Sequence, residues 1–102
     1  MTATGDIEST SDERVKTDIK TIPDALEKVL QIRGASFIKD NKKSIGVIAQ
    51  EIQKVVPEVV TVPDEEDGLA SVAYGNLVGL LIEAIKEQQQ QIDAIEERVC
   101  EC

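Results

Sequence analysis

"SVAYGNLVGLLIEAIKEQQQQIDAIEERVCEC" occupies residues 71–102, and its hydrophobic pattern decides the fold. From Tyr74 onward the spacing predicts one long helix running through residues 74–102. Val78, Leu81, Ile85, Gln88, Ile92, Ile95, Val99 and Cys102 recur at alternating intervals of three and four residues, the signature of a coiled-coil seam. Leu77, Leu80 and Ile82 lie off this seam, so the first half of the helix is expected to be covered by the rest of the domain as well. After Glu87 only the seam is apolar. That half is predicted to project as a stalk and pair with copies of itself. Ile85, Ile92 and Val99 take the a positions, Leu81 and Ile95 the d positions. A β-branched residue at d disfavours a parallel dimer and favours three or more strands, which points to a parallel homotrimer. Gln88 is a polar d residue that can fix register at some cost in stability. The competing reading is an amphipathic helix folded back on its own domain.

Upstream of the helix the chain reads as short elements. "TIPDALEKVLQIRG" (residues 21–34) predicts a helix with Pro23 in its first position, Asp24 in its first turn and Gly34 as its stop. Ile22, Leu26, Val29 and Leu30 would form its apolar face. "ASFIKDNKKSIGVIA" predicts a β-hairpin turning at Asp40-Asn41-Lys42-Lys43, with Gly46 marking a bulge or a close backbone approach. Ile48, Ile52, Val55 and Val56 have helical spacing, ended by Pro57. "VVTV" and "LASV" are short strand candidates joined by the acidic loop Pro63–Gly68. The fold class is therefore α+β and mainly helical: short helices and a hairpin packed on a long C-terminal helix.

Bulk composition narrows the function. The chain has 102 residues, enough for one domain, and only 2% are aromatic, so the core must come from Val, Ile, Leu and Ala. A domain of this size buries little surface, and oligomerisation adds more. The net charge of −9, from 20 acidic and 11 basic residues, argues against nucleic acid and against an anionic membrane surface. No apolar run reaches the roughly 20 residues that span a bilayer, and residues 1–10 lack the basic and apolar regions of a signal peptide. A soluble protein folding in a cytoplasm is expected. Those ten residues are small and polar, and read as a flexible piece of a longer chain. With no histidine, Ser-His-Asp and Cys-His catalysis and most zinc sites are excluded. The run Asp64–Gly68 lacks the ligand spacing of a calcium loop, and Cys100 and Cys102 alone do not make a metal site. No cofactor or metal is expected.

One pair remains for chemistry. Ser11 precedes Lys16 by five residues in "SDERVK". "TSDE" also fits a capping box, with Thr10 as N-cap and Glu13 as its partner, which would make this stretch a solvated helix start. In a helix the two side chains lie about 140° apart around the axis; in a strand they lie about 16 Å apart on opposite faces. They meet only if the chain turns between them or a neighbouring subunit supplies one of them. A lysine base must also be desolvated or set near other cations to work near neutrality.

Several of these blocks resemble a known family. "SDERVK", "DALEKVLQIRG", "IGVIAQEIQKVVPEVV" and "SVAYGNLVGLLIEAIKEQQQQI" match, in order and spacing, the C-terminal intramolecular chaperone domain of phage tail spikes and tail fibres, the endosialidase-type peptidase S74 domain. Val15 stands where Leu is commoner in the family, and the Cys-Glu-Cys ending lies outside its pattern. The resemblance implies that residues 11–102 form a chaperone and auto-protease domain, and that residues 1–10 are the remnant of an upstream fibre. It implies a homotrimer that helps the preceding fibre fold and then releases itself by cutting Thr10–Ser11. Ser11 would be the nucleophile and Lys16 its general base, with Asp12 and Arg14 as supporting motif positions. Arg14 would hold the loop or stabilise negative charge developing on the Thr10 carbonyl. Assembly would take place in the bacterial host cytoplasm, and the domain would leave the mature virion after cleavage. Two alternatives stand beside this: a trimerisation module that registers a fibre without cutting, and a coiled-coil adaptor whose residues 11–74 bind a partner.

Overall fold

The computed structural model describes residues 8–100. Most of the leader segment, and the placing of Cys102 on the seam, lie outside the described residues. Seven elements follow a short N-terminal arm: α1 (Ala25–Leu30), β1 (Ala35–Lys39), β2 (Lys42–Gly46), α2 (Ala49–Gln53), β3 (Val60–Thr61), β4 (Ser71–Val72) and α3 (Leu77–Cys100). Three single 3-10 turns punctuate them, at Glu13–Val15, Pro57–Val59 and Tyr74–Asn76. The architecture is α+β, with short helices and two small antiparallel sheets around one long helix.

The core sits on one face of α3. Leu77, Leu80 and Ala84 are buried there, together with Ala25 of α1, Ile52 of α2, Val56 and Val59. Ile22, Leu26, Val29, Ile32, Val47, Val55, Val60 and Val72 close around them, half-buried. The buried stripe Leu77–Leu80–Ala84 and the seam Val78–Leu81–Ile85 differ by one residue, about 100° of helix rotation. The first half of α3 thus presents one stripe to its own domain and an adjacent one outward. Ile82, expected under cover, is 49% exposed, because it lies on neither the buried stripe nor the seam. From Gln88 to Val99 every side chain of α3 is exposed.

Local chemistry explains several boundaries. The hairpin turns in two residues rather than four: Asp40 and Asn41 both have positive φ, 51° and 64°. That is the type I′ geometry, which matches strand twist and suits Asp and Asn. Ala35 pairs with Gly46 and Lys39 with Lys42. Gly46 is a close approach: a Cβ there would lie 2.6 Å from the Tyr74 hydroxyl. That hydroxyl accepts a hydrogen bond from the Val47 backbone N–H at 3.2 Å, which ties the hairpin to the start of α3. Helix α2 is shorter than its spacing predicts: it ends at Gln53, before Val55 and Val56, and Pro57 opens a 3-10 turn of its own.

Helix α1 departs from its sequence signals. Pro23 lies before the helix, because Asp24 turns left-handed (φ 53°) and α1 begins only at Ala25. Asp24 supplies no side-chain cap. The orphan N–H groups of Ala25 and Leu26 are instead satisfied by Glu87 Oε2 of α3, at 2.7 and 3.1 Å. The helix ends at Leu30, four residues before Gly34, and Leu30 is 75% exposed rather than part of the apolar face.

Candidate functional site

The site lies in the N-terminal arm, and one turn builds it. Asp12 is extended (φ −72°, ψ 135°), Glu13–Val15 form a 3-10 turn, and Lys16 is extended again (φ −120°, ψ 143°). The turn is closed by Val15 N–H to Asp12 O at 3.2 Å and Lys16 N–H to Glu13 O at 3.1 Å. The chain therefore bends between Ser11 and Lys16, and the Lys16 Nζ donates to Ser11 Oγ at 2.7 Å within one chain. Neither a helix nor a strand could have brought these side chains together.

The capping box expected from Thr10 and Glu13 does not form. Asp12 is the cap: its Oδ1 accepts the Arg14 backbone N–H at 2.9 Å. The physical reason is that the turn starts two residues later than the capping-box reading requires, so Thr10 lies outside it. The same carboxylate grips the Arg14 side chain at both oxygens, Nε to Oδ1 at 3.0 Å and an Nη to Oδ2 at 2.8 Å. This fork geometry suits guanidinium and carboxylate planes. It holds the Asp12 carboxyl below its ordinary pKa and raises that of Arg14. Arg14 is thus engaged with Asp12 in the single chain, which fits holding the loop.

Residues 8–21 are exposed throughout, Val15 and Ile19 at 68% and 69% among them. The side-chain hydrogen bonds made by Ser11, Asp12, Arg14 and Lys16 stay inside the arm. The Thr10–Ser11 bond and the Lys16 Nζ are therefore open to water when the chain is alone. Chemically, the arrangement sets a hydroxyl within hydrogen-bond reach of an amine and beside a peptide carbonyl.

The seam residues form a second exposed feature. Val78, Leu81, Ile85, Ile92, Ile95 and Val99 are between 43% and 66% exposed, and Gln88 is exposed with them. Two residues escaped the sequence reading. Glu87 reads as an ordinary helix-surface acid, and its partners lie more than 60 residues away. The Tyr74 hydroxyl had a weak signal: the lone tyrosine beside a glycine-marked hairpin. Among the described residues no group of three or more His, Cys, Asp or Glu could hold a metal ion, and no helix is long and apolar enough to cross a membrane.

Comparison with known proteins converges on one group. Residues 11–61 match the Peptidase_S74 family, described as the chaperone of endosialidase; the match begins at Ser11. The chain is 29% identical over 98 residues to the long tail fiber protein Gp37 of Enterobacteria phage K3, covering 87% of this chain. It is 33% identical over 92 residues to Gp37 of Escherichia phage AR1, covering 80%, and 34% identical over 98 residues to Gp37 of Enterobacteria phage M1, covering 85%. The matched part is 8% of the K3 and AR1 proteins and 39% of the M1 protein.

Proposed function

The chain belongs to the endosialidase chaperone family, Peptidase_S74, and from that premise we propose that it is the chaperone domain of a phage tail fibre, trimerising to register the fibre and then cutting itself free at Thr10–Ser11. The observation that carries the cleavage reading is the 2.7 Å contact of Lys16 Nζ with Ser11 Oγ.

Three chains associate first through the seam Val78–Val99. This gathers the three upstream connections and lowers the entropic cost of aligning long fibre chains. Packing in the assembly then strips water from the arm, and Lys16 becomes a neutral amine able to act as base. It takes the Ser11 hydroxyl proton as Oγ attacks the Thr10 carbonyl carbon. The tetrahedral intermediate collapses, the Thr10–Ser11 C–N bond breaks, and the departing Ser11 nitrogen takes the proton back from Lys16. Thr10 is left as an ester on Ser11 Oγ. Water hydrolyses that ester, giving a Thr10 carboxylate and restoring the hydroxyl. The enzyme turns over once. The setting is the bacterial host cytoplasm during phage assembly, and the domain is released from the finished fibre, which stays kinetically trapped.

A second reading, a trimerisation module that registers the fibre without cutting, is favoured by the solvent exposure of the whole arm in the single chain. Intact mass of the freshly purified chain separates the two. Self-cleavage leaves a 92-residue fragment beginning at Ser11, the 102 residues less the first 10, and Ser11→Ala stays full length. A wild-type chain that never shortens, with or without its upstream fibre, leaves the module without the protease.

A further inference from the structure

The turn between Ser11 and Lys16 has little to hold it. It spans three residues, Glu13–Val15, and buries no side chain. An isolated turn of this length is not stable on its own backbone bonds. Among Ser11, Asp12, Arg14 and Lys16 no side-chain hydrogen bond reaches the core. What remains is Asp12. One of its oxygens satisfies an orphan N–H at the start of the turn, and both clamp the side chain that projects from the turn's middle.

We propose that Asp12 is the positioning residue of the Ser11–Lys16 pair, folding the turn that carries Lys16 back onto the nucleophile. The inference rests on the self-cleavage reading of that pair. Asp12 touches neither Ser11 Oγ nor Lys16 Nζ in the structure's hydrogen bonds; it acts through the backbone between them. The cap is the essential part, and the Arg14 clamp reinforces it by fixing the carboxylate rotamer. Asn caps a helix start about as well as Asp, whereas Ala does not. The side-chain identity that matters is therefore an oxygen acceptor one residue after the nucleophile.

The test compares Asp12→Ala and Asp12→Asn with wild type in the full chain, reading the rate of loss of residues 1–10 by intact mass. Asp12→Ala is expected to slow cleavage roughly 10- to 100-fold, the scale of a misplaced reacting group. Asp12→Asn is expected to stay within about threefold of wild type, because the cap survives. The thermal midpoint of both should match wild type, because the arm does not contribute to the core. Equal rates for Asp12→Ala and wild type overturn the proposal. So does an Asp12→Asn chain as slow as Asp12→Ala, which would assign the effect to charge. An NMR contact between the Ser11 β-protons and the Lys16 ε-protons in uncut chains reads the same geometry without turnover. It should be present in wild type and Asp12→Asn and absent in Asp12→Ala; its persistence in Asp12→Ala overturns the proposal even if no chain cuts. A wild-type chain that stays whole while this contact follows the expected pattern counts against the cleavage reading and leaves the positioning role intact.

Discussion

At the scale of single residues, Lys16 and Arg14 divide two tasks that both need a cation but not the same one. Arg14 meets a planar carboxylate with a planar fork. Lys16 meets a hydroxyl with a point donor, and the proposed chemistry needs it to shed its proton. Arginine does not shed a proton in proteins. Lys16→Arg should therefore abolish cleavage while the turn survives, and intact mass after prolonged incubation checks it; a shortened Lys16→Arg chain would exclude Lys16 as base. The Asp12–Arg14 clamp has its own pH signature. Its folded-state pKa lies below the ordinary 3.8, chiefly through the Arg14 side-chain hydrogen bonds. The stabilisation is therefore present above the ordinary value and disappears as pH falls through the lower, folded one. A carbon-detected NMR titration of the Asp12 carboxyl should give a midpoint below 3.8, moving back up in Arg14→Ala. The residue types of this site were legible in the sequence; the turn that unites them was not. Thr10 and Glu13 offered a capping box of the right spacing, whereas the structure caps the turn with Asp12, two residues on. Local propensity does not choose between caps whose surroundings are solvent.

At the scale of elements, α1 is completed from α3 and the hairpin from the Tyr74–Asn76 turn that leads into it. Helix α1 is six residues long with a left-handed Asp24 at its start, too short to persist by propensity alone. Glu87 supplies its N-terminal acceptors. Glu87→Ala should cost about 1–3 kcal/mol, because two partly buried N–H groups lose their partner. Glu87→Gln keeps an acceptor and should cost less, and urea denaturation of both checks the order. The hairpin depends on Gly46 and Tyr74 in the same way. Gly46→Ala would drive a methyl against the Tyr74 hydroxyl and should cost about 1–3 kcal/mol. Tyr74→Phe removes that hydroxyl with its bonds to Val47 and should cost about 1 kcal/mol. In the double variant the obstructing oxygen is gone, so its loss should fall short of the sum of the two single losses by more than about 0.5 kcal/mol. Simple additivity would mean that the ring, not the hydroxyl, sets the approach. Hairpin, α2 and the small strands could be read from periodicity and turn residues, with Gly46 flagged as a tight spot. The start of α1 could not, since Pro23 and Asp24 give a local signal that a carboxylate more than 60 residues away overrides.

At the scale of the whole molecule, the chain is too extended to be a finished globule. Its radius of gyration is 17.8 Å, against about 13 Å for a compact chain of this length. Its longest dimension, 59 Å, is nearly twice its shortest, 31 Å. The excess is α3, whose half beyond Glu87 covers nothing of its own domain. Seven hydrophobic residues are buried among the described ones, whereas six apolar seam residues from Val78 to Val99 stand in water. That balance is the physical ground for the proposed trimer, and it ties assembly to chemistry, because the proposed mechanism needs assembly to strip water from the exposed Lys16. The seam lets the link be broken where it does not touch the site. Ile92→Asp with Ile95→Asp places two charges per chain on the stalk axis and leaves Leu77, Leu80 and Ala84 untouched. The variant should sediment as a monomer at equilibrium where wild type sediments as a trimer. Its domain should stay folded, retaining the near-native ultraviolet signal of Tyr74, and residues 1–10 should remain attached. A monomeric variant that still cuts at the wild-type rate would separate cleavage from assembly and place the loss of water around Lys16 within a single chain. A wild-type chain that is itself monomeric would remove the trimer and, with it, the fibre-registering role that the exposed seam supports.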